Sequence, residues 1–336
     1  MWSLQNQTPY AAERTWTRDK NGIHHWIVAV KATYHVNERG IVRLSDEQQP
    51  LLHLPEHHGE AGLSSLKYEA DLVPVKTSTD VLLNGHAYAP HGKPARSVEV
   101  SLRVGAISKQ LVVHGMRVYS RRLLGVALSA PVEFTKRQLI YEWAYGGADL
   151  SDPDVRNHVM DKRNPVGKGV ALRAQNLLDQ PGHSIEYPKG DPAQMGPAGF
   201  APISSYWSPR LELMGTYDQH WEQTRKPLLP SNYDERHVLC APADQRPPKH
   251  LRGGERVELI HLSPTGLLRF ELPSPLLQFE TVFGSRSYEH DGKLATVIIE
   301  PDIGRLMMVW QTSLAVRITD ADYLDYTLIK ERKALQ

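Results

Sequence analysis

The chain has 336 residues, 40% of them apolar and 23% charged, with 39 Lys and Arg against 38 Asp and Glu for a net charge of +1. That is a globular composition of a length that fits one large domain or two ordinary ones. Near-neutrality argues against a nucleic-acid binder that relies on bulk charge, and the single cysteine, Cys240, excludes an internal disulfide and fits a reducing compartment.

The first residues show no basic segment followed by an apolar core, and the longest uncharged apolar run, Leu123 to Val132, is about half of what a bilayer span needs. A soluble, cytoplasmic protein is therefore expected.

Asn21-Gly22 is a turn signal, and Trp26–Val36 (WIVAVKATYHV) follows it. Trp26, Val28, Val30, Ala32, Tyr34 and Val36 share one face while Lys31, Thr33 and His35 share the other, which predicts a half-buried strand. Residues 45 to 64 carry His53, His57 and His58 with Glu56 and Glu60, but Pro50 and Pro55 break any helix that would set them on one face, so a solvated loop is expected rather than a metal site. Val81–Ala87 alternates, as does Val98–Val104 (VEVSLRV), and after Gly105 the segment Lys109–Met116 is its hairpin partner. Phe134–Trp143 predicts one more strand.

The next hundred residues have neither period. Asp149, Asp152 and Asp154 are clustered without the glycine and closing glutamate of a calcium loop, so an acidic turn is expected. Arg163-Asn164-Pro165-Val166-Gly167 is a turn, with Asn-Pro to start it and a glycine to close it. Lys168–Leu178 is expected as a short helix. From Met195 to Arg246 the aromatics Phe200, Tyr206, Trp207, Tyr217, Trp221 and Tyr233 stand among prolines and glycines. Disordered segments lack aromatics, so the expectation is an ordered loop packed on a β framework by its own rings. Gly215-Thr216-Tyr217-Asp218 followed by Trp221 suggests a tight turn in which Asp218 holds local amides.

Periodicity returns at Val257–Leu262 and Leu267–Leu272, which flank Ser263-Pro264-Thr265-Gly266, a type I turn sequence. Ala295–Glu300 and Arg305–Thr312 flank Pro301-Asp302-Ile303-Gly304 in a second hairpin. Asp320–Lys333 carries acids first and bases last, as a terminal helix prefers. The fold class expected is mainly β, with antiparallel hairpins in one or two packed sandwich-like units, a long ordered loop and little helix. Residues 1–145 form the N-terminal β domain in this division, 146–250 the loop region, and 251–336 the hairpins that join the core.

No phosphate-binding glycine motif, nucleophile elbow or zinc-protease helix occurs, so no catalytic residue, cofactor or metal is expected. Cys240 stands alone before Ala241-Pro242 as a buried thiol. A glycosidase would need two carboxylates about 5 to 10 Å apart across a cleft, with Asp218, Glu222, Asp234 and Asp244 as the available groups.

Many short pieces resemble, in order, the domain of unknown function encoded in type VI secretion gene clusters beside VgrG spike and PAAR tip proteins. They include Val30-Lys31-Ala32-Thr33, Lys76 with Thr79-Asp80-Val81, Lys109, and Tyr141-Glu142-Trp143-Ala144-Tyr145-Gly146-Gly147. Further on are Arg163-Asn164-Pro165-Val166-Gly167, Pro197-Ala198-Gly199-Phe200, Pro209-Arg210, Gly215-Thr216-Tyr217-Asp218 with Trp221, Asp244-Gln245 and Gly253-Gly254-Glu255. The chain departs from the family at Tyr10 and Tyr34, where phenylalanine is usual, and at Met116-Arg117, where Asp-Arg is usual. The resemblance implies a cytoplasmic adaptor or chaperone that binds a secreted effector and helps mount it on the spike, without catalytic residues. Its partners would be the effector or a VgrG or PAAR component, not nucleic acid or membrane. Candidate partner contacts are Trp207, Arg210, Tyr206 and Phe200. Arg163, Asn164, Pro165, Gly167, Gly215, Tyr217, Asp218, Trp221, Asp244 and Gln245 are expected to shape the loop. The alternative is a carbohydrate-active enzyme or lectin that uses the loop aromatics and carboxylates.

Overall fold

The computed structural model describes residues 2–123 and 125–332. The chain is mainly β, built as three larger sheets with small two-stranded ones around them. The central sheet runs in the order Ala11–Arg18, His24–Val36, Arg305–Val316, Lys293–Glu300 and Asp80–Leu83, with Val42–Leu44 also paired to His24–Val36. Every pairing in it is antiparallel except Asp80–Leu83, which lies parallel to Lys293–Glu300. A five-stranded sheet orders Ile185–Glu186, Ile107–His114, Ser97–Val104, Arg256–Ile260 and Leu267–Glu271. A four-stranded sheet orders Ser3–Asn6, Leu324–Arg332, Leu276–Phe283 and Arg286–Asp291. Strands from early and late in the chain thus share the same sheets. One apolar core draws Val28, Val30, Leu102, Leu111, Leu259, Phe279, Met308 and Ile329 from all three.

Both later hairpins form with the register their sequences suggest. Val257 faces Phe270 across the first, whose turn is closed by Gly266 N–H on Ser263 O at 2.9 Å. Ile299 faces Leu306 across the second, and Gly304 at φ +60° takes the left-handed turn position that a β-carbon resists.

Several expectations are corrected. The strand at His24–Val36 is central, not half-buried: Lys31 and Thr33 on its second face are as buried as the valines. Lys31 tolerates this because its ammonium reaches the Asp71 carboxylate at 2.8 Å and the Pro50 carbonyl at 3.1 Å. The terminal helix does not form. Ile318–Tyr323 makes a 3₁₀ segment, and Leu324–Arg332 is a strand with Leu324, Thr327 and Ile329 fully buried. Burial of that apolar row outweighs the charge placement that favoured a helix; Lys333 lies outside the described residues. The helix at Lys168–Leu178 shrinks to a 3₁₀ turn at Ala174–Leu177, because Gly169 at φ +120° takes the backbone out of helical space after a short pairing with Tyr145–Gly146. Phe134–Trp143 shortens to a strand at Lys136–Gln138 and a 3₁₀ turn at Tyr141–Trp143. Between residues 146 and 250 no strand exceeds a pair of residues, and the helices are Pro192–Met195, Arg210–Leu213 and Gln219–Thr224.

Candidate functional site

The long loop is fastened to the framework by buried charges. Asp80 opens the edge strand of the central sheet with no exposed surface. Its carboxylate accepts the Lys76 ammonium at 2.8 Å and the backbone N–H groups of Cys240 and Ala241, from the loop, at 2.9 and 3.0 Å. Lys76 Nζ donates also to Thr296 Oγ1 at 2.8 Å. Burial alone would raise the Asp80 pKa, but Lys76 and the two amides outweigh it and hold the carboxyl below its ordinary value. Lys76 is the mirror case: burial lowers its pKa, and Asp80 outweighs burial and raises it. Cys240 lies fully buried against this pair, and burial pushes its thiol well above the ordinary range, which keeps it an inert thiol.

A second anchor stands one sheet away. Lys109 Nζ donates to Asp244 Oδ1 and Gln245 Oε1, both at 2.9 Å, and lies 5.6 Å from the centre of the Phe200 ring. Gln245 Nε2 then donates to the carbonyls of Val81 at 2.7 Å and Phe200 at 3.0 Å. The Lys109 ammonium is almost wholly buried while Asp244 is 38% exposed. Burial therefore outweighs the Asp244 charge and brings Lys109 down to about 8.

Three of the four candidate partner contacts are core residues. Phe200 is fully buried beneath Lys109. Trp207 is 6% exposed and meets the Tyr141 ring edge-on at 5.8 Å. Arg210 is buried, with its guanidinium on Glu69 at 2.6 Å and on the carbonyls of Ile203 and His237 at 2.6 and 2.9 Å. These side chains are consumed by the loop's own packing and are corrected from surface contacts to fasteners. Tyr206, 76% exposed, is the one of the four that faces solvent.

The turn residues each hold backbone in place. Asn164 is fully buried; its Nδ2 donates to the carbonyls of Tyr141 at 2.8 Å and Tyr145 at 3.0 Å, and its own carbonyl accepts Gly147 N–H at 2.7 Å. Gly167 packs so closely that a β-carbon there would meet Asn164 Nδ2 at 2.4 Å. Pro165 sits between them in that turn. Arg163 reaches Asp161 at 2.6 Å and Ala193 O at 2.8 Å. Gly215 takes φ +85°, and Asp218 caps Gln219–Thr224 by accepting Trp221 N–H at 2.8 Å. Tyr217 packs edge-on against Trp221 at 4.7 Å, and both rings remain partly or largely exposed.

The carboxylates that a glycosidase would need are engaged elsewhere. Asp218 caps a helix, Glu222 pairs with Lys226 at 3.1 Å, Asp234 pairs with Arg236 at 2.6 Å, and Asp244 pairs with Lys109. Asp149 accepts Ser151 Oγ, Leu172 N–H and Asn176 Nδ2, so it ties turns together. Among the described residues no three His, Cys, Asp or Glu side chains are grouped as a metal site requires.

One cluster had no signal in the sequence. Glu186 receives Arg117, with His183 Nε2 at 3.1 Å and His114 Nε2 at 3.5 Å. Burial would raise the Glu186 pKa, but bonds to the two histidines and to Arg117 hold it far below the carboxylate range. These residues are dispersed along the chain, and only the pairing of Ile107–His114 with Ile185–Glu186 assembles them. Arg117, the arginine of Met116-Arg117, bears the contact, and it also donates to the His183 carbonyl.

The arrangement defines a mainly β protein in which buried charged and amide side chains fasten a long loop to a sheet framework. The family model described as "Uncharacterized protein conserved in bacteria (DUF2169)" matches residues 21–311, and the chain belongs to this family. No curated protein and no solved structure matches it.

Proposed function

We propose that the protein is a protein-binding adaptor or chaperone that holds a type VI secretion effector in the cytoplasm and assists its loading onto the VgrG or PAAR spike. The observation that carries this reading is the use made of the motif residues. Lys76, Asp80, Lys109, Asn164, Arg210 and Gln245 are spent on fixing a loop of about a hundred residues as a rigid surface. A preordered loop of this kind suits recognition of another protein, because ordering it on binding would cost about 1 to 2 kcal/mol per residue in backbone entropy alone. The carbohydrate reading is weaker on the same ground, since each loop carboxylate it would use already has an internal partner. The resemblance in sequence supplies the secretion context. The test is affinity purification of the tagged chain from its native host, followed by mass spectrometry and reconstitution with purified components. Recovery of a spike component or of the effector encoded beside it supports the proposal, and a clean preparation with neither overturns it.

A further inference from the structure

The strand Arg305–Val316 outruns one of its neighbours. Its ladder with Lys293–Glu300 ends where Lys293 faces Gln311, whereas its ladder with His24–Val36 continues to Val316 opposite His24. On the side facing away from His24–Val36, Thr312–Val316 has no strand partner among the described residues. The nearest element on that side is Arg286–Asp291, the edge strand of the four-stranded sheet, bonded only to Leu276–Phe283. Between Asp291 and Lys293 the chain passes from one sheet to the other at Gly292, where a β-carbon would strike the Phe279 ring at 2.5 Å. The two free edges touch through His290 Nδ1 and Thr312 Oγ1 at 2.5 Å. Beyond that contact a groove of about 360 Å³ opens, with Arg286 and Tyr288 on one wall and Leu314, Val316, Arg317 and Asp320 on the other.

An open strand edge is a template for another strand, and proteins usually blunt it. At the rim of the five-stranded sheet that has been done: the turn at Gly40 lies so close to Leu267–Glu271 that a β-carbon on it would sit 1.8 Å from Arg269 O. Thr312 and Val316 are buried, but Ser313–Ala315 between them has no such cover, and the segment contains neither proline nor lysine. Among the charged residues lining the groove, two arginines stand against one carboxylate. Arg286 and Arg317 are exposed, and neither has a carboxylate within 4.0 Å among the described residues, although Asp320 stands on the same wall. Tyr288, 44% exposed, and half-buried Leu314 offer apolar surface between them.

We propose that this notch takes an extended acidic segment of a partner protein as an added strand. The segment's backbone pairs with Thr312–Val316, its apolar side chains pack on Tyr288 and Leu314, and its carboxylates meet Arg286 and Arg317. A strand of about five residues, roughly 17 Å long, fills the free edge. The proposal deepens the protein-binding reading by giving the partner a chemical form, and it stands or falls separately from the secretion assignment.

The test uses the full chain and fluorescein-labelled peptides of about eight residues, a typical strand length, alternating valine with glutamate or valine with lysine. Binding is read by fluorescence anisotropy. The glutamate peptide is expected to bind at least about tenfold more tightly, and Arg286→Glu with Arg317→Glu should reverse the preference. N-methylation of alternate amides along one edge of the peptide should abolish binding, while methylation along the other edge should leave it. Ala315→Arg, which fills the groove from an exposed position, serves as a second blocking variant, and melting temperatures verify folding. Equal binding of the two peptides, or indifference to methylation on both edges, overturns the proposal. So does sedimentation showing that the notch instead joins two copies of this chain. If the peptides bind without charge or edge dependence while the secretion partner is still captured, the notch fails and the adaptor reading survives; charge- and edge-dependent peptide binding without any such partner gives the converse.

Discussion

Lys76 and Asp80 form an ion pair at 2.8 Å from which solvent is excluded, and Asp80 extends it to the loop by accepting the amides of Cys240 and Ala241. Framework and loop are joined at one carboxylate. Replacing Asp80 by Ala leaves a buried ammonium and two buried amides without their acceptor and is expected to cost about 3 to 5 kcal/mol. Urea denaturation measures the loss, and limited proteolysis should show cleavage first between residues 146 and 250. The paired change Lys76→Met with Asp80→Asn should cost less than the sum of the single changes, because neither charge is then left alone. Additive costs, or cleavage elsewhere, would show that the pair does not fasten the loop.

Trp207 takes a buried place that its sequence context did not suggest, whereas Trp221 holds the loop from a half-buried one. Trp207 is 6% exposed against Tyr141, whereas Trp221 is half-buried and bonded through Nε1 to Leu228 O at 2.8 Å. Trp207→Ala is therefore expected to lose about 3 to 5 kcal/mol, Trp221→Ala less, and Tyr206→Ala within about 0.5 kcal/mol of wild type. Denaturant midpoints of the three variants establish the order.

Period was legible in the sequence and enclosure was not. Hairpins such as Val257–Leu272 announce themselves because alternation and turn chemistry are local. Whether the polar face of such a strand meets water depends on what covers it. Lys31 looked solvent-facing until Asp71 and Pro50 closed over it. Phe200, Trp207 and Arg210 were legible as an ordered, aromatic loop, but their direction depends on Lys109, Tyr141 and Glu69, each far off in sequence. The strand Leu324–Arg332 was missed because its alternation is short and its partner is Leu276–Phe283. The free edge at Thr312–Val316 exists only as a mismatch between two ladders, which no single segment encodes.

His290 is expected to make stability depend on pH. Its ring is held between the hydroxyls of Thr281 and Thr312 and stacked on Phe279, and burial brings it down to about 4, against a smaller opposing effect of Asp291. Between pH 6.5 and 4 the unfolded chain binds a proton that the folded chain does not. The contribution is thus fully present above pH 6.5 and falls away as pH drops towards 4. The span corresponds to about 3 kcal/mol. His290→Gln should flatten this part of the stability profile, measured by urea denaturation at intervals across it. An equally steep profile in the variant would assign the dependence to other groups.

Asn164 offers the sharpest separation of hydrogen bonding from packing. Its amide donates to Tyr141 O and Tyr145 O from a position with no exposure, while a β-carbon at Gly146 or Gly167 would strike it. Asn164→Ala leaves the two carbonyls without donors and should cost about 2 to 4 kcal/mol. Asn164→Asp keeps the shape but aims a carboxylate at those carbonyls, so at neutral pH it should be at least as damaging. The sign of its pH dependence follows from the same geometry. A carboxyl that is disfavoured as an ion in the folded chain has a raised folded pKa, so Asn164→Asp should regain stability as pH falls through that value and the neutral acid donates one bond. Asn164→Ala has no proton to gain and should show no recovery of this kind. Melting temperatures of both variants at pH 7 and pH 5, each referred to wild type at the same pH, decide it. Parallel losses at the two pH values would mean that Asn164 acts through volume alone.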